Sequence, residues 1–443
     1  MYSKLRLSHP LFVIYTLILQ IALLQVVDAQ NADSLTIEMS VTMALENHPS
    51  ITQAQQAITT AQAHTRSLRS TFFPGVNATV NYANIGPDEP IKFLNYAEMR
   101  FFPANNFDGH VTVDYLAYDF GKRQNTVVAG KISEEQALDR LENAKQMLAY
   151  QVILLFNSII LLQQSIPVKD DEIEALNRHL QTVRKKVETG SATEFDILKT
   201  EGQLANSQSL RLDMVNDLNR KQIALRQLLS IKQNSPLNLK SETLHEDLPV
   251  NTDSLIAVAI QKRAEHRLAE HSKIAAQIQM DAVRLENRPT LGLRATAGVK
   301  NGIMPDIEKP SLNWNVGALV SIPVFDGNKR KDHLQEVESS VKTASVGIAV
   351  IESQITTDVL QAAADIEAAL SRIALSEKQV KLAEQSLTLA RLQYDAGTSI
   401  NENVLDAETE FSRVKFVHLQ NQQRYTISLY SLQQATGSIP GLQ

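Results

Sequence analysis

Histidine pairs, methionine pairs, serines and carboxylates are the side chains through which a chain could hold a metal or cleave a bond, and their spacing here supports neither. His266 and His271 are five residues apart, off a common helical face, and no His-Glu-x-x-His run occurs. Met39 and Met43 share a helical face, where thioethers fill cores more often than they bind copper. Serines and carboxylates are scattered, no glycine-rich phosphate loop is present, and there is no cysteine. The last point removes thiol catalysis, disulfides and a lipid-modified N-terminal cysteine together. No catalytic residue, cofactor site or metal site emerges, and the chain does not read as an enzyme.

What recurs at fixed spacing is a set of charged and turn residues. Asp119, Gly121, Lys122 and Arg123 of AYDFGKRQ are echoed by Phe325, Asp326, Gly327, Lys329 and Arg330 of VFDGNKRK, the aspartates lying 207 positions apart. Arg184 and Gly190 of RKKVETGSATEFDIL return as Arg391 and Gly397 of RLQYDAGTSINENVL at the same displacement of 207. No residue is gained or lost between these anchors. One long helix requires this, because an inserted residue would rotate everything beyond it by about 100°. Such residues position and recognise rather than react. Glycine after a helix is ordinarily a cap, and the recurrence is what makes it a candidate contact. Arg184 and Arg391 suit two roles, neutralising helix C-termini and touching a partner.

Periodicity supplies the elements that must carry them. Residues 35 to 72 have helical spacing interrupted at Asn47-His48-Pro49-Ser50, giving a short helix and then one of about six turns that Pro74 stops. Val76, Ala78, Val80 and Tyr82 alternate with Asn77, Thr79 and Asn81, a strand with one apolar face. Val111, Val113 and Tyr115 form its partner, and the stretch between, with Gly86, Pro87, Pro90 and Pro103, reads as loop. The second copy has Leu291, Leu293 and Ala295, then Leu312, Trp314, Val316, Ala318 and Val320, joined by a shorter loop. Four such strands can cross a thin apolar layer but cannot close a barrel alone, so closure needs several copies. Aromatic residues near the strand ends, Phe72, Phe73, Tyr118, Phe120 and Phe325, suit a membrane interface or buried packing.

After each Asp-Gly anchor the spacing predicts a helix of about 66 residues, Lys122 to Val187 and Lys329 to Tyr394, about 100 Å long. Leu141, Leu148, Leu155 and Leu162 form one heptad row, and Leu138, Val152 and Ile159 the next, with Lys145 as a break. The displaced rows contain Ala362, Ala369 and Ser345, small residues that let helices approach closely. Pro167 removes a backbone donor and predicts irregular structure near residues 163 to 170. Return helices follow from about Glu194 to Leu229 and Glu402 to Gln434, antiparallel to the long ones.

At the N-terminus, Lys4 and Arg6, an apolar run from Leu11 to Val27 and the Val27-Asp28-Ala29 site read as a signal peptide. An uncleaved anchor is the competing reading, at the short edge of a membrane span. Losing residues 1–29 removes Lys4, Arg6 and Asp28 and leaves the chain slightly more acidic than its formal charge of −6, which gives no reason to expect nucleic acid. The expected organisation is a signal peptide (1–29), a first repeat (30–231, hairpin about 76–117), a linker (232–251), a second repeat (252–437, hairpin about 291–323) and a tail (438–443).

These residues resemble the TolC-like outer membrane efflux protein family from about Leu35 to Gly437. The likeness rests on the duplicated helix, hairpin, long helix and return helix, the Asp-Gly anchors, and the Arg-x5-Gly turn followed by Ile-Leu or Val-Leu. It implies a mainly α fold with a small β part: duplicated long-helix hairpins form an α-helical barrel, and two β-hairpins contribute four strands to a trimeric transmembrane β-barrel. It also implies an outer membrane location extending into the periplasm, with outer membrane lipid, a periplasmic adaptor and an inner membrane transporter as partners of the homotrimer. The expected function is a passive exit duct of a tripartite efflux or secretion system. By resemblance the adaptor-docking tips are Arg184, Thr189, Gly190 and Ser191, and Arg391, Ala396, Gly397 and Thr398. Some members carry Val-Gly-Leu at this turn, and neither tip here does. Aspartates six and nine residues after the second turn glycine ring the pore in well-known members; here those positions are Asn403 and Asp406, which would halve the charge of the ring. Taken without the resemblance, Asp406 is a solvated helix charge. The alternative function is an exported coiled-coil scaffold or interaction protein of the cell envelope.

Overall fold

The structure, a computed structural model, describes residues 34–87, 91–93, 97–99, 102–241 and 251–439. The signal peptide, residues 242–250 of the linker and the last four residues of the tail lie outside the described residues. Two helices open the described chain, α1 (Ile37–Asn47) and α2 (Pro49–Ser70). Thr36 caps α1 by accepting from the amide of Met39, and Pro49 at the first position of α2 fits because no donor is needed there. The strands β1 (Gly75–Asn84), β2 (Ile91–Phe93), β3 (Ala97–Met99) and β4 (Asn105–Tyr118) follow, then α3 (Lys122–Glu188) and α4 (Glu194–Leu228). The second half repeats the order with α5 (Thr252–Lys262), α6 (Ala264–Arg284), β5 (Thr290–Lys300), β6 (Ser311–Ser321), α7 (Lys329–Asp395) and α8 (Asn401–Ala435). The fold is mainly helical with a small sheet. The long helices are 67 residues each and the return helices 35 each.

Two expectations need correction. Helix α3 runs without interruption through residues 163–170. Pro167 removes one backbone donor, which costs about 3 kcal/mol in an isolated helix. Buried neighbours on both sides, Ile160, Ser165, Glu172 and Leu176, hold the helical path through it. The loop between the first two long strands is not wholly irregular either, since β2 and β3 pair as a small antiparallel hairpin. In addition Leu138, placed on a heptad row, is exposed, while Val152 and Ile159 of the same row are buried.

The chain divides into two compact units, and each draws on both repeats. Of the described residues, one unit takes those within 34–48, 145–255 and 358–439, the other those within 49–144 and 256–357. In the first unit Phe156, Ile159, Leu176, Ile366 and Leu429 are fully buried, and residue 35 pairs with Leu239 of the linker through an isolated bridge. The second unit holds the sheet, in the order β1-β4-β5-β6, antiparallel throughout.

Candidate conduit surfaces

Register decides which side chains share a face of the sheet. Val76 pairs with Val113, Ala78 with Val111 and Tyr82 with Phe107. Val113 then pairs with Ala295 and Val111 with Ala297, and those with Val316 and Trp314. Directly opposed residues of antiparallel strands point the same way, so one face is apolar across all four strands. The other carries Asn77, Thr79 and Asn81 on β1, Asp108, His110, Thr112 and Asp114 on β4, Arg294, Thr296 and Lys300 on β5, and Asn313 and Asn315 on β6. On that face Arg294 Nε donates to Asp114 at 2.6 Å and His110 Nδ1 lies 2.9 Å from Asp108. A cavity of about 530 Å³ lined by Thr71, Asp114, Gly292, Arg294, Asn315 and Gly317 opens beside it. The apolar face is bare: Val76, Trp314 and Val316 are 64%, 78% and 72% exposed. Opposite His110, any Cβ at Gly298 would come within 2.2 Å of the Gly109 carbonyl oxygen, so only glycine lets β5 close on β4 there.

Each sheet-to-helix junction is built from the same atoms. Asp119 accepts from the amides of Gly121 and Arg123 and from Arg123 Nε, and Arg123 also donates to the Thr71 carbonyl at the end of α2. Displaced by 207, Asp326 accepts from the Arg330 amide and from Asn287 just past α6. Two successive left-handed residues make each turn, Phe120 and Gly121 in one, Gly327 and Asn328 in the other. Burial opposes ionisation of Asp119, yet its contacts with Arg123 and Gly121 hold the carboxyl below its usual range. An ionised aspartate suits a helix start, where free amides and the helix dipole attract negative charge.

The turns that join each long helix to its return helix form the second surface. Gly190 and Gly397 have φ of +77° and +76°. The amides of Ser191 and Thr398 reach back to the carbonyls of Lys186 and Gln393. Both turns are therefore glycine-terminated helix ends of one design. Thr193 and Asp196 complete a reciprocal capping box on α4, whereas α8 has no side-chain cap because its N-cap residue is Ile400, whose side chain has no acceptor. The sequence-selected tip residues Arg184, Thr189, Gly190, Ser191, Arg391, Ala396, Gly397 and Thr398 are all exposed. Asn403 and Asp406 are exposed one turn apart on α8; Asn403 donates to Ser399, and no ion pair to Asp406 occurs among the described residues.

Sequence reasoning missed the polar groups behind the tips. Arg184 pairs with Glu201 at 2.7 Å, and Arg391 with Glu408, the same brace repeated at 207. The two differ in setting: the Glu201 side chain is 42% exposed and the Glu408 side chain 4%. Burial pushes the Glu408 carboxyl up, against the pull of Arg391. Glu172 is buried too, held by Lys169 and Ser207. His179 Nε2 lies 2.7 Å from Asn401 Oδ1, whose amide donates to the Thr200 hydroxyl and the Asp196 carbonyl. This buried node ties α3, α4 and α8 together. Burial pushes the His179 pKa down, while the Asn401 contact opposes that shift. Lys186 completes the junction by donating to the Tyr394 carbonyl and lying over the Tyr394 ring. The arginine-to-glutamate spacing of 17 was available in both repeats; His179 was not, because its counterpart is Ser386.

Comparison with known proteins fits this geometry. Residues 41–230 and 255–438 match the outer membrane efflux protein family. The outer membrane efflux protein BepC of Brucella suis is 19% identical over 331 residues, 74% of this chain and 71% of its own. The outer membrane protein OprJ of Pseudomonas aeruginosa is 21% identical over 410 residues, 90% of this chain and 83% of its own. The structure of the outer membrane protein VceC of Vibrio cholerae superposes with a TM-score of 0.75 at 18% identity, covering 92% of this chain and 97% of that one.

Proposed function

The chain belongs to the outer membrane efflux protein family, and from that premise we propose that copies of it close around one another into the outer membrane exit duct of a tripartite efflux system. The observation that carries this reading is the sheet with two unlike faces and two free edges. Its apolar face suits lipid and its polar face a water-filled lumen. Strands β1 and β6 are the edges of the four-stranded sheet, and an unpaired edge is not tolerated in hydrocarbon, where backbone groups have no water to bond. Two copies would supply about eight strands, the size at which side chains fill the interior. Three copies give a wider barrel, so a homotrimer is the smallest assembly that leaves a channel.

The exposed tips Thr189–Ser191 and Ala396–Thr398 are the surface offered to a periplasmic adaptor, which in turn joins an inner membrane transporter. Arg184 and Arg391 stand behind these turns as braces and as positive charge near the docking surface. Asn403 and Asp406 line the narrowest part of the duct, with Asp406 supplying its negative ring. The chain moves cargo passively and performs no reaction. Separation of cell envelopes tests this reading. The protein is expected in the outer membrane fraction, resistant to alkaline washing and released only by detergent. Recovery in the soluble periplasmic fraction without detergent would overturn it.

A further inference from the structure

One arginine on the polar face of the sheet stands beside a hollow that the backbone does not demand. Across the strands Gly75, Asp114, Arg294 and Gly317 make one rung, and Leu116, Gly292 and Leu319 make the next. Gly75 opens β1, and Gly292 adjoins the register shift between Leu116 and Tyr118. Gly317 has neither reason. It lies inside β6, whose register with β5 is unbroken, and its φ is not left-handed. An added Cβ would find its nearest contact, Asn315 Oδ1, at an ordinary 3.7 Å. A glycine that neither strain nor packing requires weakens a strand interior, and such a position often marks the approach of another group.

The hollow is the cavity of about 530 Å³ at Asp114 and Arg294, within the size range of sites for small organic molecules. Its lining is of two kinds. The Arg294 side chain is 70% exposed, and Asp114 holds it through Nε alone. No other bond to the guanidinium occurs among the described residues, so both Nη groups keep their protons unused. The Asn315 amide lines the same cavity and adds a donor. Leu116 and Leu319, one rung nearer the helices, and Phe73 just past α2 supply apolar surface. Leu319 and Phe73 are 71% and 73% exposed.

We propose that this cavity is a contact site for small amphipathic organic anions in the wall of the duct, where Arg294 takes a carboxylate or sulfonate group and Leu116, Leu319 and Phe73 take the hydrocarbon body. This rests on the duct reading, which turns the polar face to the lumen, and deepens it by naming a class of cargo that the wall would hold. A guanidinium fixed at Nε presents its remaining N–H groups as a fork that matches two oxygens of one anion. Gly317, directly across from Arg294, leaves open the space beside that fork. Asp114 orients the guanidinium and offsets part of its charge, so a bound anion is held weakly. A conduit needs this, because cargo must leave the wall as readily as it arrives.

The probes are hexanesulfonate, methanesulfonate and hexyltrimethylammonium, tested on detergent-extracted protein by equilibrium dialysis against a protein-free detergent blank. The same preparation is placed in planar bilayers. Hexanesulfonate is expected to bind about tenfold or more tighter than methanesulfonate, which lacks the apolar body, and tighter than the cation. R294Q is expected to weaken hexanesulfonate about tenfold or more. D114N keeps an acceptor for Nε and removes the neighbouring negative charge, so it is expected to strengthen binding. G317V fills the hollow with a residue suited to a strand and changes no charge. It is expected to weaken hexanesulfonate while leaving the ion selectivity of the channel unchanged, a split that diffuse attraction of anions to Arg294 would not produce. R294Q alters an exposed side chain, so its comparison decides the matter if G317V fails to assemble. Equal binding by wild type and R294Q, or no preference for hexanesulfonate over methanesulfonate, would overturn the site. Conductance separates the two readings. An open channel without such binding leaves the duct standing and removes the site, whereas a preparation with no conductance removes the duct and with it the place of the site on a path for cargo.

Discussion

Arg391 and Arg184 occupy equivalent positions and make equivalent ion pairs, but the partners sit in different surroundings. Glu408 is buried and Glu201 is partly solvated. Removing Arg391 leaves a buried carboxylate without its partner, so R391A is expected to cost on the order of 2 kcal/mol of tip stability. R184A removes an exposed pair and is expected to cost under about 1 kcal/mol. Thermal unfolding of the detergent-solubilised variants checks the ranking, and equal losses would contradict it. His179 provides a pH test. Its folded-state pKa is lowered, by burial first, so below the ordinary value of about 6.5 the unfolded chain binds more protons than the folded one. Its stabilising contribution is present above that pH and lost as pH falls. Glu408, with a raised carboxyl, contributes in the opposite sense, losing its part as pH rises. The difference between wild type and H179Q isolates the histidine: the melting-temperature gap is expected to narrow on acidification from pH 7 to pH 5, and a constant gap would contradict the assignment. For the pore, N403D is expected to raise cation over anion selectivity in planar bilayers and D406N to lower it. The turn glycines and arginines were legible because both repeats carry them. The node of His179, Asn401 and Thr200 was not, because its members come from three helices and have no duplicate in sequence.

Among the elements, the strands were the most legible and Pro167 the least. Alternation identified the apolar residues of all four long strands, and the register puts them on one face. That face makes a sharp prediction. V316D places a charge on the side turned to lipid and is expected to cost about 2 to 4 kcal/mol near mid-depth, read as loss of the detergent-extracted multimer by its mass. N315D, one residue away on the polar face, is expected to leave the assembly intact. If both behave alike, the faces are not lipid and lumen, and the scaffold reading gains. Local propensity argued for a break at Pro167, yet α3 continues through it. Propensity sees one lost donor, whereas the packing of the flanking turns is a tertiary property that no local window contains. The small β2–β3 hairpin was hidden for a related reason, since prolines and glycine around it made the whole stretch read as loop. Leu138 shows the limit of a heptad row, which marks a face but not whether a neighbour reaches it.

At the scale of the molecule, the 207-residue displacement was the strongest signal in the sequence, and it reappears in the aspartate anchors, the glycine turns and the arginine braces. What the sequence could not state is where the duplicate is used. Inside one chain α3 meets α8 through His179 with Asn401, Asp171 with Lys415 and Gln164 with Gln423, a set of contacts drawn from both repeats. The open sheet leaves two edges, β1 and β6, that further copies would pair. The four-stranded sheet is thus incomplete in a single copy, because β1 and β6 lack strand partners on their outer edges. The measurement that tests this most directly is the detergent-corrected mass of the mature protein extracted from isolated outer membranes. Three chains per particle is the predicted result, and a monomer or dimer that keeps its mass without detergent would contradict it.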